Sequence, residues 1–146
     1  MSRLETMFDD LLSGNGKAFS ELLGGYLRDL VSVYDTANKE SFYHGFVLGM
    51  TALFVSDYII ESNRESGYGR FDLAIIPKDV SKAGVIMEFK VASREADMAA
   101  KAKEALQQIE EREYVTEFRQ RGIQRVWKYG IAFCGKKILA FQGPMC

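Results

Sequence analysis

Apolar positions recur at helical spacing in residues 3–12 and again in 17–34, with SGNG (13–16) between them as a turn-like break. The polar stretch DTANKES (35–41) reads as a loop ending in a helix cap. A third helix is expected from Phe42 to Leu53, carrying Gly45 and Gly49 four residues apart. Each glycine costs a helix interior about 1 kcal/mol. Two on one face predict close packing against a backbone, with a sheet as the expected neighbour. His44 stands beside that face.

After residue 55 the period shortens. VSDYIIES (55–62), FDLAII (71–76) and GVIMEFKV (84–91) are rich in β-branched and aromatic residues and predict three strands. SNRESGYGR joins the first pair and PKDVSKA the second. Residues 94–118, rich in Ala, Glu, Lys, Leu and Gln, predict a long helix. VWKYGIAFC (126–134) and KKILAFQ (136–142) complete the strands, and Gly135–Lys136 fits a tight hairpin turn with glycine first. The order is helix, three strands, helix, two strands, with no repeat and no low-complexity segment.

At 146 residues and 47% hydrophobic, the chain suits one domain with a real core. The expected division is an N-terminal helical extension over 1–35 and a core over 41–142. A net charge of −1 excludes a bulk basic field that attracts nucleic acid. Residues 119–146, however, hold no acid and six bases: Arg119, Arg121, Arg125, Lys128, Lys136 and Lys137. They read either as a solvated face or as a local patch for a phosphate backbone. Two cysteines make no disulfide framework, and the chain opens on no signal peptide, so a reduced cytoplasmic setting is expected. The longest apolar run, Phe46 to Val55, is too short to span a bilayer. GNGK lacks the spacing and the Ser or Thr of a phosphate loop.

Charges within the strands change the picture. Alternation puts Asp72, Ala74 and Ile76 on one face of their strand, and Ile86, Glu88 and Lys90 on one face of the next. Val85, Met87, Phe89 and Val91 form the opposite, core face. Antiparallel pairing of these strands would bring Asp72 and Glu88 together at one end. Adjacent carboxylates repel and raise each other's pKa, which a hard divalent cation relieves. Mg²⁺ takes few carboxylates and favours a substrate phosphate as a further ligand. Lys90 would then stand where it can orient or deprotonate an attacking water, or neutralise charge developing on a phosphate. The same three residues also read as a salt bridge at a sheet edge.

The context resembles the PD-(D/E)XK nuclease superfamily: FDLAII, a loop, then MEFK, between a glycine-containing helix and an Ala/Gln-rich one. ESFYHGFVLGM, ESNRESGYGRFDLAIIP, GVIMEFKV, EALQQI and KYGIAFCGKK look like the nuclease domain at the C-terminus of many bacterial AAA-ATPase-like proteins. The resemblance implies a restriction-endonuclease-like α/β core, αβββαβ, with a mixed central sheet flanked by helices and extra helices at the N-terminus. It implies Asp72, Glu88 and Lys90 as the catalytic set, with Phe71 where the superfamily name has Pro. It also implies a metal site of Asp72, Glu88 and His44 holding Mg²⁺ or Mn²⁺, since related nucleases supply a His ligand from a helix before the strands. Gln108 is the expected site-facing residue of the helix after the strand; Tyr114, six residues on, does not reproduce the Gln-x-x-x-Tyr spacing of one related group. Arg64, Tyr68 and Arg70 in the connecting loop suit phosphate and base contacts, or a hairpin held by Arg70 and a nearby Glu.

The expected function is metal-dependent hydrolysis of phosphodiesters, in DNA rather than RNA. The alternative is a catalytically silent module that binds nucleic acid or a protein within a larger ATPase assembly. An ATPase domain or partner and a second copy of the chain are the expected protein partners, and no membrane is.

Overall fold

The structure, a computed structural model, describes residues 2–30, 39–62 and 71–145. Five strands form one sheet in the order β1-β2-β3-β4-β5: β1 (Tyr58–Ser62), β2 (Leu73–Pro77), β3 (Gly84–Val91), β4 (Val126–Cys134) and β5 (Lys137–Gln142). β3 and β4 run parallel and every other pair antiparallel. Three helices precede the strands: α1 (Arg3–Leu12), α2 (Gly16–Leu30) and α3 (Glu40–Thr51). Two more, α4 (Met98–Glu111) and α5 (Val115–Gln120), make the crossover from β3 to β4. Among the described residues no helix is long and apolar enough to cross a membrane. The mixed, helix-flanked sheet is the restriction-endonuclease-like arrangement expected from the sequence.

Both faces of the sheet are buried, not one. Leu73, Ile75, Val85, Met87 and Phe89 face a layer built from α1 to α3, where Phe8, Leu11, Phe19, Leu23, Leu27 and Tyr43 pack. Ala74, Ile76 and Ile86 face the other layer, with Ile109, Tyr114 and Phe118 from the α4–α5 side. The first two helices are therefore part of the core. Tyr129 on β4 ties them in by donating its hydroxyl to the Leu11 carbonyl at 2.7 Å.

Local chemistry explains where the elements stop. β4 and β5 meet at Gly135, whose φ of +59° suits a turn led by glycine. The helix expected over 94–118 divides because Glu113 takes φ +53°, a left-handed conformation that ends α4 and reverses the chain. The close packing expected of Gly49 is absent: a Cβ there would meet nothing within 4 Å. The intimate approach lies instead at Gly130 on β4, where a Cβ would fall 2.3 Å from the Ala102 carbonyl and 2.5 Å from the Leu106 amide. Only glycine lets α4 sit that near the sheet.

Five of the six C-terminal bases are engaged separately rather than gathered into one surface. Lys128 is buried and paired with Glu110, and Arg121 pairs with Glu61. Arg125 donates to the Ser81 carbonyl, Lys136 to the Arg28 carbonyl, and Lys137 pairs with Glu95. The nine residues of β4, roughly 30 Å at about 3.3 Å per residue, separate Arg125 from the hairpin lysines.

Candidate active site

β2 and β3 pair Leu73 with Met87, Ala74 with Ile86 and Ile75 with Val85. One residue before Leu73 the ladder changes character. The Asp72 amide still donates to the Met87 carbonyl at 3.2 Å, but Asp72 Oδ2 accepts the Phe89 N–H at 2.8 Å. A side-chain carboxylate has replaced a strand carbonyl, so β2 begins at Leu73 rather than at Phe71. The same bond holds Asp72 beside Glu88, near enough for the two carboxyl groups to act on each other.

Glu88 is 2% exposed, and its Oε1 has no hydrogen-bond partner among the described residues. Its neighbour across the β3–β4 ladder is Gly130. The close approach of α4 at that glycine walls the carboxyl off from water. Burial first, and the Asp72 carboxylate second, push Glu88 up to about 8, against the opposing pull of Lys90 and Arg112. Burial also raises Asp72, opposed by the Phe89 N–H and Lys90. Two carboxyl groups so placed share one proton near neutrality, and that proton belongs to the pair.

Lys90, half-buried and two residues along the same face, acts electrostatically on Asp72, Glu88 and also Glu40. Glu40 was not singled out in the sequence. It lies in the first turn of α3, and burial first, then Asp72, raise its pKa, while Lys90 and His44 lower it. Its signal in the sequence was its place four residues before His44, one turn away on the same helix face.

His44 is 5% exposed and sits edge-on to Phe89, ring centroids 5.6 Å apart. Its Nε2 meets Ser62 Oγ at 2.7 Å. Ser62 ends β1 opposite Leu73, so the histidine closes the site from the α3 side of the sheet. Gln108, by contrast, lies on the α4 side, near enough to act on the Tyr114 hydroxyl despite the spacing of six. The left-handed Glu113 brings that tyrosine back, and Tyr114 packs edge-on to Phe71 at 5.8 Å. Arg64, Tyr68 and Arg70 lie outside the described residues.

Among the described residues no three His, Cys, Asp or Glu side chains converge into a ready metal cluster. The donors that do converge fit a cation of another kind. Mg²⁺ binds through one or two carboxylates and fills the rest of its sphere with water and phosphate oxygens. Asp72 and Glu88 supply those two carboxylates, and the unpartnered Glu88 Oε1 is a buried acceptor that such an ion would satisfy. For His44 to join through Nε2, it would exchange Ser62 for the ion.

A family model described as PD-(D/E)XK nuclease superfamily matches residues 38–142, from just before α3 to the end of β5. The chain belongs to that superfamily. No curated protein matches it.

Proposed function

We propose that this member of the PD-(D/E)XK nuclease superfamily is a metal-dependent nuclease that hydrolyses phosphodiester bonds in DNA. The observation that carries the reading is the Asp72–Glu88 pair, with its partnerless buried oxygen and with Lys90 beside it. A buried acid with that orphan atom is costly to a scaffold and useful to a cation site. Asp72 and Glu88 would hold Mg²⁺ or Mn²⁺, and His44 would join them by releasing Ser62. When bound, the ion supplies Lewis-acid polarisation of the scissile phosphate and lowers the pKa of water.

The chain's own residues do the rest. The Phe89 N–H aims the Asp72 carboxylate. Lys90 orients the attacking water and offsets negative charge gathering on phosphorus. The water oxygen bonds phosphorus, the ester oxygen opposite departs, and the water's proton passes to the solvent side through Lys90 or a neighbouring carboxylate. Gln108 positions the substrate strand from the α4 side, and Arg64, Tyr68 and Arg70 hold it from the β1–β2 connection. Glu88 must lose its proton to take the ion, so metal affinity rises with pH.

The finer family placement belongs to the same proposal. ESFYHGFVLGM and ESNRESGYGRFDLAIIP support the type of nuclease domain that ends bacterial AAA-ATPase-like proteins, acting beside an ATPase domain or partner. The test is a cleavage assay on linear, circular and single-stranded DNA with Mg²⁺, Mn²⁺ or EDTA. Cutting that requires the metal supports the reading. Absence of cutting with either metal on every substrate, by protein that nonetheless binds DNA, would move the function to a silent binding module.

A further inference from the structure

The C-terminal end of α4 presents an arginine that the reading above does not use. Arg112 is the C-cap of α4 and is exposed. Among the described residues it makes no ion pair. Its guanidinium donates one long hydrogen bond, 3.4 Å, to the Tyr114 hydroxyl. Tyr114 is itself anchored, buried and edge-on to Phe71. Phe71 directly precedes Asp72, so a chain of contacts runs from the carboxylate pair through Phe71 and Tyr114 to the guanidinium. The arginine is near enough for Glu88 and Glu111 to act on its charge.

The backbone carries a second sign of function. Glu113 adopts φ +53° without being glycine. Left-handed non-glycine residues persist where the surroundings hold them, and functional sites are where they gather. Here the conformation turns Tyr114 back beneath Arg112 and leaves most of the guanidinium's donors facing solvent. A planar fork of donors beside a carboxylate site suits a phosphate better than any other common group.

We infer that Arg112 binds a backbone phosphate of the nucleic-acid substrate next to the scissile one, with Tyr114 as its positioning residue. The inference rests on the nuclease reading and names a contact that reading lacks. Placement on the rigid end of α4, rather than on a loop, fixes the strand's register against Asp72 and Glu88.

The experiment measures binding of a 30-nucleotide single strand and a 30-base-pair duplex by fluorescence anisotropy with Mn²⁺ over a range of salt. Lys90→Ala serves as the parent so that the probe stays intact. Arg112→Ala in that parent is expected to weaken binding about tenfold and to lower the slope of log K against log salt by about one. Its melting temperature should stay that of the parent. Arg112→Lys should restore the slope but only part of the affinity, because an ammonium keeps the charge and loses the fork. An unchanged affinity and slope in Arg112→Ala, with a parent that binds, would overturn the inference and leave the nuclease reading standing. A fall in melting temperature with the slope intact would overturn it equally, by showing a helix cap. A parent that binds neither probe would overturn both.

Discussion

Replacing Glu88 by Gln keeps the shape of the side chain and removes its proton equilibrium. Burial, and then the Asp72 carboxylate, push Glu88 up to about 8, against 4.5 for the unperturbed group. Between those values the folded state holds a proton that the unfolded chain has lost. Stability contributed by that proton is full below about 4.5 and disappears as pH rises through about 8. At 1.36 kcal/mol per pH unit, that interval caps the loss near 5 kcal/mol, and the shared proton with Asp72 brings the expected value to about 2–4 kcal/mol. For a chain of 146 residues this is roughly 5–15 °C in melting temperature. The assay is urea or thermal unfolding of wild type and Glu88→Gln in EDTA from pH 5 to 9. Glu40, raised in the same direction, remains in both proteins and cancels, so the difference between the curves reports the coupled Asp72–Glu88 pair. Wild type should lose stability relative to the variant as pH rises. Mg²⁺ should restore it at pH 8, where the deprotonated carboxylate is available, and should do nothing for the variant. Parallel curves in EDTA would refute the argument that α4 desolvates this carboxyl.

Asp72→Ala should abolish Mn²⁺ binding measured by calorimetry, whereas unchanged binding would remove Asp72 from the site. His44→Ala should weaken Mn²⁺ binding if the ring exchanges Ser62 for the ion. A lower melting temperature with intact Mn²⁺ affinity would leave His44 a packing residue against Phe89. Gly130→Ala should destabilise by about 3 kcal/mol, the upper range for overpacking, because its Cβ meets the Ala102 carbonyl and the Leu106 amide, neither of which can step aside. Circular dichroism melts would show it, and a native-like melting temperature would mean that α4 stands farther from the sheet.

Much of this arrangement was legible in the sequence because it rests on local periodicity. Residues 84–91 and 126–134 form strands over the expected spans, and the Gly135 turn joins the last two. Alternation placed Glu88 and Lys90 on one face, and antiparallel pairing of the two strands, once assumed, brought Asp72 beside Glu88. What escaped depends on contacts between elements. A Glu one turn before His44 looks like any acidic first turn until α3 docks and brings it to Asp72 and Lys90. Tyr114 fails a helical spacing rule, yet packs against Phe71 beside the site because a single left-handed residue intervenes. Gly49 and Gly130 are alike as letters, and only the packing of α4 tells which one carries a close approach. The first two helices read as an extension because amphipathicity reveals a buried face without naming what covers it. The C-terminal bases left a solvated face and a patch both open, because sequence proximity hides the length of a strand.

The most direct test of the central claim is DNA cleavage by wild type and Lys90→Ala, purified side by side, with Mg²⁺, with Mn²⁺ and with EDTA. Lys90 is not placed among the metal ligands, so the variant should fold and bind Mn²⁺ as wild type does. Metal-dependent cutting by wild type that is lost in Lys90→Ala is the predicted result. Equal cutting by the two proteins would contradict it, by placing the active site somewhere other than Asp72, Glu88 and Lys90.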